Sequence, residues 1–154
     1  METLNLFGIV FYLISSAAYC AYLFLQKNRL QKFGYYALLI GFGVHSAAIA
    51  VDFIQSGQMP VGNLRQSLSF AGWAVAGVFL VVQFKYGLKV LGVYAAPFIA
   101  LIMVIASQIP NTPAQTSQLL RSFWLIIHVC VVFIGEAGFA LACGLGILYL
   151  LQEN

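Results

Sequence analysis

Five long apolar runs, parted by short polar breaks, leave this chain few ways to fold. They cover about 4–25, 33–54, 66–84, 90–108 and 120–151. A helix needs about 20 apolar residues to cross the hydrocarbon core of a bilayer. Lipid offers the backbone no hydrogen-bond partner, so continuous runs of this length must be helices. Of 154 residues, 62% are hydrophobic and 7% charged, and the mean hydropathy is +0.96. A soluble domain is about 25% charged, and one this small cannot hide so much apolar surface. These facts exclude a soluble enzyme, a disordered chain and a nucleic-acid-binding domain. The expected fold is all-α: a polytopic membrane protein with about five transmembrane helices in one domain, 1–154.

The breaks carry the topology. Lys27, Arg29 and Lys32 follow the first run, and Lys85 and Lys89 follow the third. The second break has only Arg65 and the fourth only Arg121. The positive-inside rule then places the first and third loops in the cytoplasm, the N-terminus outside and the C-terminus inside. Met1-Glu2 leads straight into an apolar run with no basic stretch, so the first segment reads as a retained span rather than a signal peptide. The fifth segment, from Leu119 to Leu151, makes about 50 Å of helix, more than the core of about 30 Å requires. It must tilt or project.

Cys20, Cys130 and Cys143 lie in apolar runs with no CxxC spacing, which reads as packing and not as a disulfide or zinc site. With no CxxCH, the chain is not itself a c-type cytochrome. The turn Met59-Pro60-Val61-Gly62-Asn63-Leu64 enters the third helix, where Asn63 can cap the first turn.

Polar side chains inside lipid are costly and are the first candidates for function. His128 follows Arg121 by seven residues and Trp124 by four, on nearly one helix face near the outer end of the fifth span. Its imidazole can ligate a metal or haem iron, Arg121 can meet a propionate, and Trp124 can stack on a flat ring. The plainer reading makes Trp124 and Arg121 interface anchors and His128 a polar residue satisfied by a neighbouring helix. His45 and Asp52 share a face of the second span and suit either a proton or ligand path, or a buried histidine bonded between helices below a wet rim. Glu136 lies about 12 Å deeper than His128, beside Gly135, Gly138, Ala142 and Gly146, whose spacing suggests a close helix–helix contact.

Two stretches resemble a known family. Met59-Pro60-Val61-Gly62-Asn63-Leu64-Arg65-Gln66-Ser67-Leu68, then Phe70 and Trp73, resembles the P-x-x-N-L-x-E-S-L-x-F-x-x-W motif of cytochrome c assembly proteins of the CcsA/ResC type. Ser122 to Val129 resembles that family's S-x-W-L-x-x-H-V, and Gly92 to Pro97 its L-G-x-x-x-x-P. The resemblance implies a multi-pass protein of the inner (cytoplasmic) membrane that handles haem b at the outer face for attachment to apocytochrome c. It implies His128 as an axial haem ligand, with Trp124 and Arg121 beside it. Gln66 stands where the family has an acidic residue, and the Trp-rich W-G-x-x-W-x-W-D segment is missing. The chain therefore resembles the N-terminal part of a holocytochrome c synthase, one not competent without a C-terminal half or a partner membrane subunit. Two alternatives are a HemX-like regulatory or scaffolding protein without bound haem, and a transporter half acting through His45, Asp52 and Glu136. The second is disfavoured because only Pro97 interrupts a span.

Overall fold

The computed structural model describes residues 2–110 and 122–153. It contains five helices: α1 (Glu2–Leu25), α2 (Asn28–Ser56), α3 (Leu64–Tyr86), α4 (Leu91–Gln108) and α5 (Phe123–Glu153). All five are long and apolar enough to cross a membrane, and none of the described residues is in a strand. The short connections run α1 to α4 up and down, and α5 is parallel to α1 and α3.

The helix ends have local causes. The first break is only Gln26-Lys27, where Gln26 takes a positive φ of 49°. Asn28, Arg29 and Lys32 therefore lie on α2, five residues ahead of the span expected from about 33. Lys and Arg are good helix formers, and their long stems let the charges reach the interface. α2 and α3 end at Gly57 (φ 63°) and Gly87 (φ 65°), left-handed positions that need no Cβ. At the start of α3, the Asn63 side chain accepts a hydrogen bond from the Gln66 backbone N–H at 2.8 Å. The Gln66 Oε1 reaches back to the Gly62 N–H at 3.0 Å. This reciprocal pair works like a capping box.

α1 packs most heavily on α2 and also on α4, while α3 packs on α4. Where these four meet, the Tyr19 ring of α1 is fully buried. It stands edge-on to Phe79 of α3, with ring centroids 6.1 Å apart. Only glycine leaves room for it: a Cβ at Gly34 would approach the ring to 2.9 Å, and one at Gly92 would overlap it. α5 packs on α3 and less on α4. Phe133 meets Phe70 edge-on at 5.1 Å, Ala137 and Leu141 are buried, and Gly144 receives the Tyr94 ring.

Two packing expectations change. Among the described residues the glycines beside Glu136 make no close helix contact: a Cβ on Gly135, Gly138 or Gly146 would meet none of them within 4 Å, and Glu136 itself is exposed. The close contact falls instead on Gly144. The cysteines are not packed inside either, since Cys20 and Cys143 are exposed and Cys130 is half-buried. Apolar helix faces that meet lipid look the same in sequence as faces that meet protein.

Candidate functional site

The end of the bundle that holds the 57–63 turn carries two polar constellations. The first is internal. His45 is fully buried, and both ring nitrogens are engaged. Nδ1 lies 3.3 Å from the Tyr12 hydroxyl of α1, and Nε2 lies 2.9 Å from the Ser69 hydroxyl of α3. One imidazole thus joins three helices, which is how an interior of low polarity tolerates it. Ser15 donates to the Gly34 carbonyl at 2.8 Å, a second tie between α1 and α2. Trp73 Nε1 donates to the Ser46 hydroxyl at 2.8 Å while its ring stacks on Phe42.

Above His45 lies a pocket of about 150 Å3. Asn5, Asp52, Arg65, Gln66, Ser69 and Ser107 supply its polar wall. The opposite charges of Asp52 and Arg65 interact there. Ser69 is both pocket wall and partner of His45, so the buried imidazole is one hydroxyl away from the pocket. The arrangement can hold water or a small polar group and exchange hydrogen bonds with Ser69, the partner of His45.

The second constellation is external. His128 is exposed on α5, and Trp124, one turn earlier on the same face, is 79% exposed. α5 runs parallel to α3, and Phe133 sits against Phe70. His128, five residues earlier, therefore stands near the depth of Arg65, about 7.5 Å above that contact. It does not line the pocket. Arg121 lies outside the described residues. His45 and Asp52 are thus brought together with Arg65, through Ser69 and the pocket. His128 and Trp124 form a separate open face, and Glu136 lies lower on α5 without joining either. Among the described residues no three His, Cys, Asp or Glu converge as a metal centre would need.

Sequence reading missed Tyr12, Ser69, Asn5 and Ser107. Hydroxyl and amide residues in apolar runs are common, and nothing in their spacing tells which helices will face one another. Gln66 also gains a definite role: its amide closes the cap at Gly62, work that a carboxylate oxygen at this position can do equally well.

The sequence profile of the cytochrome C assembly protein family matches residues 61–154. That stretch holds the Asn63 cap, Trp73, Pro97 and the Trp124–His128 pair. Protein HemX of Brevibacillus brevis is 26% identical over 134 residues, covering 85% of this chain and 49% of the relative. The cytochrome c biogenesis protein CcsA of Chlorella vulgaris is 27% identical, covering 78% of this chain and 45% of the relative. CcsA of Prochlorococcus marinus (strain MIT 9303) is 31% identical over 115 residues, with 72% and 36% covered. The chain spans about half the length of these curated relatives, or less. No solved structure matches it significantly. With the profile covering more than half of its length and five membrane-length helices in place, this chain is a multi-pass member of the cytochrome c assembly protein family.

Proposed function

We propose that the chain is part of a membrane component of cytochrome c maturation, one that handles haem at the outer membrane face for attachment to apocytochrome c. Family membership and the similarity to CcsA proteins support the role in biogenesis. The observation that carries the haem reading is the open face of α5, where His128 and Trp124 are exposed one turn apart. They lie at the end of the bundle away from Lys27, Arg29, Lys32, Lys85 and Lys89. By the positive-inside rule that end is the outer one, in the inner (cytoplasmic) membrane.

The residues fit one axial bond to haem b. An exposed imidazole on a firm helix can reach iron, whereas His45 is sealed between Tyr12 and Ser69. Trp124 offers a flat apolar surface to the macrocycle, and Arg121 a cation for a propionate. When bound, haem supplies the macrocycle that is joined to the cysteines of the apocytochrome. A second ligand to the iron would come from a further segment or a partner membrane subunit, which would complete the synthase.

The test is the absorption spectrum of the full membrane assembly. His128→Ala is expected to abolish the haem Soret band, and an unchanged band refutes the ligand assignment. A second reading, a HemX-type regulatory protein, is favoured by the HemX relative, whose match covers 85% of this chain. It predicts no haem in any context and co-purification with a cytoplasmic partner.

A further inference from the structure

The opposite end of the bundle holds a groove that the haem reading does not use. Tyr22 near the end of α1, the turn 87–90 with Lys89, and Leu145, Leu148 and Gln152 of α5 surround an open space of about 560 Å3. Its two ends differ in chemistry. Lys89 and Gln152 stand at the rim, where the helices meet the polar turn. Leu145 lies seven residues back along α5 from Gln152, so an apolar floor runs about 10 Å from the rim towards the membrane interior. Leu88 and Val90, beside Lys89, are exposed.

Charge complements that shape. Lys27, Arg29, Lys32, Lys85 and Lys89, five of the seven basic residues, cluster at this end, against Glu153 as the one acidic position in the same stretch of helix ends. α2 and α4 both start here, and neither start has a side-chain cap. α1, α3 and α5 end here as well, so the helix dipoles bring no net positive field and the basic side chains supply the charge. Lys89 Nζ donates to Asn28 Oδ1 at 3.2 Å, which ties the turn to the start of α2 and leaves further ammonium hydrogens for an anion. Soluble phosphate would satisfy Lys89 and ignore the leucine floor. A neutral acyl chain would cover the floor and ignore Lys89. One molecule with both parts matches the whole groove.

We propose that this groove binds an anionic phospholipid, its phosphate at Lys89 and the upper part of an acyl chain along Leu145 and Leu148. A basic pocket between transmembrane helices is the setting in which anionic lipids are retained.

The test is native mass spectrometry of the full chain, purified in detergent with equal phosphatidylglycerol and phosphatidylcholine. The phosphatidylglycerol adduct is expected to exceed the phosphatidylcholine adduct about fivefold, the size of effect one lysine near an anionic headgroup produces. Lys89→Gln removes the preference and Lys89→Arg retains it. Lys32→Gln, which lies outside the groove, leaves it in place, and this separates the site from the general basicity of the chain. Leu148→Trp fills the floor and lowers both adducts, and circular dichroism checks that each variant keeps its helix content. Glycerol 3-phosphate at the lipid concentration does not displace the adduct. Equal adducts on the unaltered chain, a preference that survives Lys89→Gln, or displacement by glycerol 3-phosphate overturns the proposal.

Discussion

The α1–α4 body and α5 meet the membrane in opposite ways. In the body, several polar groups are turned inward and matched: His45 with Tyr12 and Ser69, Trp73 with Ser46, Ser15 with Gly34, although Gln83 Oε1 of α3 is buried without a hydrogen-bond partner. α5 is the most apolar of the five spans, yet only 11% of its apolar membrane-length stretch is buried, against 28% for α1 and α2 and 44% for α3 and α4. Its polar residues His128, Trp124 and Glu136 point away from the body. Both regions contain a histidine, an aromatic neighbour and several glycines, so composition does not separate them. What separates them is whether the histidine has already found its partners. A satisfied buried group holds helices together; an open one on an apolar helix is available to something outside the chain.

That contrast can be broken experimentally. The largest effect is expected from a paired glycine test. Gly92→Leu drives a side chain into the Tyr19 ring, which Gly34 and Phe79 hold in place. Overpacking of this kind costs about 1–3 kcal/mol or more, and thermal unfolding in detergent should show a large fall or loss of the folded protein. Gly146→Leu meets nothing within 4 Å and should unfold like the parent. Equal losses from the two variants would mean that α5 is packed as tightly as the body.

Next comes a histidine pair. His45→Leu leaves the buried Tyr12 hydroxyl without its partner, at a cost of about 1–3 kcal/mol, while Ser69 still faces the pocket. His128→Leu changes an exposed side chain and should stay within about 0.5 kcal/mol of the parent. Similar unfolding curves for the two would remove the distinction between a structural and an available imidazole. The smallest effect belongs to Trp73→Phe, which keeps most of the stacking on Phe42 but loses the bond to Ser46, a loss of about 1 kcal/mol. The same unfolding assay reads it, and an unchanged midpoint would show that the stacking of Trp73 on Phe42, and not its bond to Ser46, carries this contact.

Much of this architecture was legible in the residues. Twenty-residue apolar runs admit one backbone solution in lipid, so the number of spans and their approximate ends follow from the sequence. The Asn63 cap could be read as well, because capping is local chemistry over three or four residues. The first break could not be placed so well. Asn28 to Lys32 is mostly polar and reads as a loop, but Arg29, Leu30, Gln31 and Lys32 are good helix formers and only Gln26-Lys27 leaves the helix. The site divides the same way. The face shared by Trp124 and His128 follows from helical periodicity within one element. The bond network of His45 does not, because Tyr12, His45 and Ser69 come together only when three helices take a particular rotation about their axes. The glycines near Glu136 show the same limit: small residues at helical spacing mark a smooth face, and only the fold shows whether a neighbour uses it.

The most direct measurement is the haem absorption of the full membrane assembly carrying His128→Gly or His45→Gly, each with and without added imidazole. His128→Gly should lose the Soret band and recover it when imidazole enters the exposed position. His45→Gly should keep the parent haem spectrum while unfolding more easily. An unchanged spectrum in His128→Gly, or a loss of haem confined to His45→Gly, would contradict the assignment of the open face of α5 as the place where this chain holds haem.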